Sequence, residues 1–170
     1  MKAVVVFESL YGNTHAVADA VADGLRQGAE VEVVPVTDAA PQMVAGVDLL
    51  VVGGPTHVHG LSSNLSRKGA ADGARKKGHP EPDVHGPALR TWFDGLEKAP
   101  DGRAAAFDTR AGGPKLLTGS AAGGISRRLR HHGYEVVGEE SFVVEDMEGP
   151  LRHGELERAR EWGRGLAAKI

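Results

Sequence analysis

The 170-residue chain has 41% hydrophobic and 25% charged residues, a composition typical of a soluble globular protein, and we expect one domain over residues 1–170. It contains no cysteine, which excludes disulfide frameworks, thiolate metal sites and thiol nucleophiles. Its 20 Lys and Arg residues against 23 Asp and Glu residues give a net charge of −3, so composition favours neither nucleic acid nor an anionic membrane as a partner. The first apolar run, residues 3–7, is too short for a signal-peptide core or a membrane span, and we expect a cytoplasmic location.

Five apolar runs of strand length alternate with segments of helical spacing. The runs cover residues 4–7, 31–36, 47–52, 104–107 and 134–144. The first and third are continuously apolar, which is typical of parallel strands covered on both faces. We therefore predict a three-layer α/β domain with helices on both faces of a five-stranded parallel sheet. Within the fifth run, Gly138, Glu139 and Glu140 predict a bend or a bulge.

The segments between the runs have the apolar spacing of amphipathic helices. The first, residues 14–27, places Val17, Val21 and Leu25 four residues apart and is followed by Gly28. Similar spacing predicts helices near residues 89–96, 121–129 and 154–170.

Residues 62–85 do not follow this alternation. The segment contains five cationic residues, Arg67, Lys68, Arg75, Lys76 and Lys77, but few large apolar ones. We predict an exposed loop here. A surface that steers an acidic partner is the alternative interpretation of its positive charge.

The junction between the first strand and the first helix reads ESLYGNT, residues 8–14. The N–H groups at the start of a helix have no partner within it, and the helix dipole favours an anion there. Hydrogen-bonding side chains surround Gly12, which allows close approach of the backbone to a ligand. The loop lacks both lysine and the spacing G-x-G-x-x-G, which argues against a Walker-type triphosphatase and a dinucleotide fingerprint. The junction predicts a phosphate site; the alternative is an ordinary turn in which Asn13 or Thr14 caps the helix.

Two further glycine-rich segments follow central strands. The third strand continues into GGPTHVHG, residues 53–60, and the fourth into FDTRAGGPKLLTGSA, residues 107–121. Ligands of open parallel sheets bind outside the carboxyl ends of the strands, where the strand order reverses. Together the three segments predict a crevice for a flat ligand with a phosphate tail.

On these motifs, the chain resembles the flavodoxin-like FMN-binding proteins over nearly its whole length. SLYGNT matches the phosphate loop of that family, S/T-x-T-G-x-T, at Ser9, Gly12, Asn13 and Thr14, whereas Tyr11 replaces the usual threonine. The resemblance implies the strand order 2-1-3-4-5 and FMN as the cofactor. It also implies that residues 55–60 cover one face of the flavin ring and that residues 108–114 cover the other.

The resemblance therefore assigns three loops to the cofactor. The residues expected to contact FMN are Ser9, Leu10, Tyr11, Gly12, Asn13, Thr14, Pro55, Thr56, His57, Val58, His59, Gly60, Asp108, Thr109, Arg110 and Gly113.

Two features depart from the flavodoxin pattern. The two flavin loops contain no Trp, Tyr or Phe beyond Phe107 at the strand end, so His57, His59 and Arg110 are the groups left to stack on the flavin. The net charge of −3 is also small, whereas the resemblance implies a strongly acidic electron shuttle.

The predicted function is one- or two-electron transfer by bound FMN, with a redox partner protein or a small-molecule electron acceptor. Two alternatives stay open: an NAD(P)H- or quinone-dependent flavin reductase, and a flavin-free binding module that retains the fold. We predict no metal site, because the eight histidines show no ligand spacing. We assign no catalytic residue, because the nucleophile-elbow pattern G-x-S-x-G is absent. The sequence leaves the oligomeric state open.

Overall fold

The computed structural model describes residues 1–57, 60–61, 64–77, 88–114, 119–146 and 148–170. Its sheet contains the parallel strands β1 (Lys2–Phe7), β2 (Glu30–Pro35) and β3 (Leu49–His57), the short antiparallel β4 (Gly60–Leu61), and the parallel strands β5 (Arg103–Ala111) and β6 (Glu135–Val144). The order across the sheet is β2-β1-β3-β5-β6, and β4 pairs with β3. Counted over the parallel strands alone, this is 2-1-3-4-5, which confirms the predicted order.

The described helices are α1 (Asn13–Leu25), α2 (Pro41–Val44), α3 (Asn64–Lys77), α4 (Leu89–Asp94), α5 (Ala121–His131) and α6 (Glu155–Ala167). Alternate residues of each strand face opposite sides of the sheet. Val4 and Val6 of β1 therefore belong to the core under α4 and α5, while Ala3 and Val5 belong to the core under α1 and α6. The helices thus cover both faces, as predicted from the continuous apolar runs.

The irregularity predicted in the last strand is a β-bulge. The partners of Ala104 and Ala105 on β6 are Val136 and Gly138, so Val137 is the extra residue. The strand continues through Glu139 and Glu140 rather than breaking there.

Helices α1 and α6 cross in direct backbone contact because each has a glycine at the crossing. A Cβ atom built on Gly24 would lie 2.1 Å from the Arg160 carbonyl oxygen, and one built on Gly163 would lie 2.2 Å from that of Val21. Real Cβ atoms do not approach that closely. The two glycines therefore bring the N-terminal and C-terminal helices together.

The prediction of an exposed loop at residues 62–85 is wrong for residues 64–77, which form α3. Its buried residues are Arg67, Ala71 and Ala74, at spacings of four and three. The stripe consists of two alanines and an arginine, so the segment lacks the periodic large apolar residues that predict a helix. Residues 78–85 lie outside the described part of the chain.

The strands next to the predicted flavin loops are longer than expected. β3 continues through Thr56 to His57 and turns back into β4, and β5 continues to Ala111, paired with β6. Backbone pairing therefore holds Pro55 opposite Thr109, where the sequence had suggested two loops.

Candidate functional site

Three strand ends meet at one edge of the sheet. Phe7, Gly53 and Phe107 are register partners on β1, β3 and β5, so the residues that follow them lie side by side. A Cβ atom on Gly53 would lie 2.0 Å from the ring of Phe107, and the missing side chain makes room for that ring. The three segments predicted to form the ligand crevice thus begin side by side at the carboxyl edge of the sheet.

The loop after β1 presents the start of α1 without a side-chain cap. Gly12 is the residue before the helix, in the left-handed conformation with φ +89°, which glycine adopts at little cost. Its N–H donates to the Ser9 hydroxyl at 3.0 Å, and its carbonyl accepts from the N–H of Ala16. Neither Asn13 nor Thr14 caps the helix, so the ordinary capped turn is not what forms here.

Instead, Asn13 and Thr14 bond to distant parts of the chain. The Thr14 hydroxyl lies 2.7 Å from that of Thr109 on β5, and the pair is buried. The Asn13 side-chain amide donates to the carbonyl of Glu148 at 3.0 Å. These bonds fix the first turn of α1 against β5 and against the segment that follows β6.

Tyr11 lies beside that same segment. Burial, together with the negative charge of Glu148, raises the pKa of the Tyr11 phenol above its ordinary value. The phenol is therefore a neutral hydroxyl at physiological pH, able to donate a hydrogen bond.

Asp108 organises the other side of the edge. Its side chain is fully buried, and its Oδ2 atom accepts from the Thr56 hydroxyl at 3.0 Å, the Ser120 hydroxyl at 2.9 Å and the Ala122 N–H at 2.9 Å. The Thr56 hydroxyl also accepts from the N–H of Ala121. Asp108 and Thr56 thus join β3 and β5 to the first turn of α5. The Asp108 Oδ1 atom is buried with no hydrogen-bond partner in the described part of the chain.

A buried ion pair lies directly before the phosphate loop. The Arg67 Nε atom is 3.2 Å from the Glu8 Oε1 atom, with both side chains almost fully buried. The Glu8 Oε2 atom accepts from the N–H of Leu89 at 3.0 Å. Glu8 therefore connects β1 to α3 and α4, and the guanidinium of Arg67 offsets its negative charge.

An open cavity of about 410 Å³ lies on the β2 side of the loop. Its wall includes Ser9, Leu10 and Gly12 from the loop and the rings of Phe7 and His15, which stack with their centroids 4.4 Å apart. Solvent therefore reaches the loop from this side.

The structure joins two pairs of the predicted cofactor residues across the sheet edge. Thr14 meets Thr109, and Thr56 meets Asp108. Arg110 instead donates to the Gly113 carbonyl at 2.9 Å, within its own loop. Val58 and His59 lie outside the described residues, as do residues 115–118 and the side chain of His57.

Sequence reasoning missed Glu8, Arg67 and Glu148 as neighbours of the site. Glu8 adjoins the loop in sequence, but the strand and loop pattern carries no signal that it is buried. For Arg67 the only available signal was the spacing of four and three to Ala71 and Ala74.

The described residues contain no group of three His, Asp or Glu side chains placed to hold a metal ion. Likewise, none of the described helices has the length and apolar character needed to cross a membrane.

The sheet order reverses between β1 and β3, and the uncapped start of α1 lies at that switch point. This arrangement defines a doubly wound α/β protein with its ligand edge at the carboxyl ends of the strands. The flavodoxin family model matches residues 5–162. The chain belongs to the flavodoxin family, whose cofactor is FMN.

Solved structures agree on the fold. A flavodoxin of Streptococcus pneumoniae is 20% identical, with a TM-score of 0.68 and 100% of both chains covered. The oxidised flavodoxin 2 of Bacillus cereus is 19% identical, with a TM-score of 0.67 and the same full coverage. A flavodoxin from the domain Archaea is 20% identical, with a TM-score of 0.66, covering 99% of this chain and 98% of that one. No curated protein matches the sequence.

The described residues fit the phosphate group of FMN. The first turn of α1 offers N–H groups without a side-chain cap, and an ideal Cβ atom on Gly12 would meet nothing within 4 Å, so the loop is open to a ligand. Arg67 offsets the charge of Glu8 beside the loop. At the same edge, the Oδ1 atom of Asp108 is a buried acceptor without a hydrogen-bond partner in the described residues.

Proposed function

We propose that this protein binds FMN at the carboxyl edge of its sheet and transfers electrons to or from a redox partner protein or a small-molecule acceptor. The observation that carries the proposal is the uncapped first turn of α1, closed on one side by the buried Thr14–Thr109 hydrogen bond. Membership of the flavodoxin family supports the cofactor. Bound FMN supplies the one- or two-electron chemistry.

In this proposal the loop binds phosphate through backbone groups rather than through a lysine. The N–H groups of Asn13, Thr14 and His15 begin α1, and the helix dipole adds to their attraction for an anion. The Ser9 hydroxyl, which accepts from Gly12, has its own proton available for a phosphate oxygen. Thr14 and Thr109 act as positioning residues, because their hydroxyls bond to each other.

The other flavin contacts are assigned to the ends of β3 and β5. Asp108 orients the Thr56 hydroxyl and the first turn of α5, which fixes the spacing between the two strands that would border the ring. Its free Oδ1 atom is the acceptor that we assign to an N–H of the ligand. Because the carboxylate is fully buried, that interaction would be little weakened by competing water.

The first test compares FMN with riboflavin, which lacks the phosphate, in fluorescence titrations of the intact chain. We expect FMN to bind on the order of 10- to 100-fold more tightly, which corresponds to one charged hydrogen bond of about 1.5–3 kcal/mol. Thr14→Ala should reduce that preference, because it removes the bond that positions the first turn of α1, while Thr91→Ala, at an exposed threonine of α4, should retain it. Equal affinities for both ligands in the unaltered chain would show that the loop does not bind phosphate.

The second test separates the proposed electron carrier from the two alternatives. Anaerobic photoreduction should bleach the bound flavin, and adding NADH or NADPH to the oxidised protein should leave it unbleached over minutes. Rapid bleaching by either nucleotide would indicate a flavin reductase instead. Failure to bind any FMN would indicate a flavin-free module.

A further inference from the structure

The charged residues of the helices are divided unequally between the two faces of the sheet. On one face, α5 carries three arginines and no acidic residue, and α4 carries one arginine and one aspartate. On the opposite face, α1 carries two aspartates and no Lys or Arg, and α6 carries three arginines and three glutamates. The net charge of −3 for the whole chain conceals this separation.

The two faces also differ in how their arginines are paired. On α6, Arg158, Arg160 and Arg164 each form ion pairs with neighbouring carboxylates. By contrast, four arginines on the other face form no ion pair within the described part of the chain. We call these four the basic patch: Arg90 of α4 and Arg127, Arg128 and Arg130 of α5.

The geometry places two arginines of this patch, Arg90 and Arg128, beside β4 and next to the edge assigned to the cofactor. Arg90 donates to the carbonyl of Leu61 at 3.0 Å, and Arg128 donates to the carbonyl of Gly124 at 3.2 Å. An ideal Cβ atom on Gly124 would lie 3.9 Å from the Cβ atom of Leu61, so both arginines border β4. Leu61 in turn pairs with Thr56, whose hydroxyl donates to Asp108. Arg90 is therefore three contacts away from the buried carboxylate of Asp108.

The electrostatics agree with a concentration of positive charge. Partial burial, followed by the positive charges of Arg90 and Arg127, lowers the pKa of Arg128, and Asp94 opposes the effect. Arg127 and Arg130 are exposed. Carbonyl hydrogen bonds satisfy donors of Arg90 and Arg128 without neutralising them, and Asp94 offsets only part of the positive charge, so the patch attracts anionic groups.

We propose that the basic patch is the docking surface for an acidic redox-partner protein. This proposal rests on the proposed function, since it places the partner beside the edge assigned to FMN. Charge complementarity selects the partner: carboxylates on its surface would pair with guanidinium groups that the fold leaves without ion pairs. Such attraction also raises the rate of encounter between two proteins.

The test measures binding of the protein as purified to two forms of one immobilised redox protein. Cytochrome c is basic, and succinylation of its lysines makes it acidic while retaining the haem. At low ionic strength we expect the acidic form to bind at least about tenfold more tightly than the basic form. This difference should shrink with salt, because screening is effective over about 10 Å at 0.1 M.

Two double variants locate the interaction. Arg127→Gln with Arg130→Gln should weaken binding of succinylated cytochrome c by about tenfold at low ionic strength. Arg160→Gln with Arg164→Gln removes the same charge from the opposite face and should change binding by less than about twofold. Equal weakening by the two double variants, or preference for the basic cytochrome, would overturn the proposal.

Nucleic acid is the competing polyanion, and a short DNA duplex tests for it by fluorescence anisotropy. We expect the duplex to bind more weakly than the acidic cytochrome at physiological salt. If the duplex bound more tightly than the acidic cytochrome, and this binding were lost on neutralising Arg127 and Arg130, the proposal of an acidic protein partner would be overturned. FMN titration of both double variants should give the affinity of the unaltered chain. A chain that binds no FMN but still distinguishes the two cytochromes would refute the proposed function and retain the docking surface.

Discussion

The side-chain hydroxyls of Thr14 and Thr109 lie 2.7 Å apart, although 95 residues separate them in sequence. Thr14 is 2% exposed and Thr109 is 5% exposed, so neither hydroxyl has water as a ready substitute partner. The bond links the first turn of α1 to the end of β5. The pair therefore helps to fix the distance between the loop that precedes α1 and the end of β5.

Removing both of these hydroxyls is expected to cost less than the sum of the costs of removing each one alone. Thr109→Val leaves the buried hydroxyl of Thr14 without its partner and should lower the free energy of unfolding by about 1–3 kcal/mol. The double variant Thr14→Val with Thr109→Val should lie closer to the unaltered chain than the sum of the two single changes predicts. Urea unfolding of the four proteins measures the coupling. Strict additivity would mean that the hydrogen bond contributes nothing to stability.

The buried Glu8–Arg67 ion pair should make Arg67 far more important than its exposed neighbour. Arg67→Met breaks the pair at 3.2 Å, and such a change in a buried pair costs about 3–5 kcal/mol. Lys68→Met, one position along α3 and exposed, should stay within about 0.5 kcal/mol. Adding Glu8→Gln to Arg67→Met should recover part of the loss, because it removes the buried charge. Comparable losses for Arg67→Met and Lys68→Met in thermal unfolding would contradict this account.

Two glycines of α6 should respond in opposite directions to the same substitution. Gly163→Ala places a Cβ atom 2.2 Å from the backbone of α1, so the helices must separate and the protein should lose more than about 2 kcal/mol. At Gly165 an added Cβ would meet nothing within 4 Å, and alanine should stabilise the helix by about 0.5–1 kcal/mol. Denaturant midpoints of the two variants provide the comparison. A neutral Gly163→Ala would show that the crossing of α1 and α6 is not tight.

Glu155 should make the stability of the C-terminal helix depend on pH. Burial alone would raise the pKa of its carboxyl, but hydrogen bonds from Arg158 and from the Val143 N–H outweigh burial and hold the pKa below its ordinary value. Between the lowered pKa of the folded state and the ordinary pKa of Glu, the carboxyl of residue 155 is more often protonated in the unfolded chain than in the folded one. The free energy of unfolding therefore increases with pH in this range. The stabilisation that ionised Glu155 contributes is fully present above about pH 4.3, the ordinary pKa of Glu. It is lost as the pH falls through the lower pKa of the folded state.

Glu155→Gln is therefore expected to destabilise the protein by about 1–3 kcal/mol at neutral pH and by less at pH 3. Glu161→Gln, at an exposed position of the same helix, should change stability by less than about 0.5 kcal/mol at both pH values. Urea unfolding at a series of pH values measures both differences. If the loss of stability caused by Glu155→Gln became larger on acidification, the carboxyl pKa would not be lowered in the folded state.

The regular part of the fold was predictable because its signals are local. Continuous apolar runs indicated the parallel strands, and spacings of three and four indicated α1, α5 and α6 near their observed bounds. The helix at α3 was missed because its buried face is small and includes Arg67, whose burial depends on Glu8, 59 positions earlier. Asn13 and Thr14 were predicted as phosphate ligands or caps, yet their side chains bond to Glu148 and Thr109.

By itself, the sequence determined the class of fold and, through family resemblance, its strand order. These follow from residue patterns within a few turns or strands, where backbone geometry links neighbours directly. The tertiary structure alone decided which polar groups meet: Asp108 with Thr56 and Ser120, and Glu8 with Arg67. It also decided that the arginines of α5 lie on one face and the acids of α1 on the other, because charge separation depends on which helices cover each side of the sheet rather than on composition.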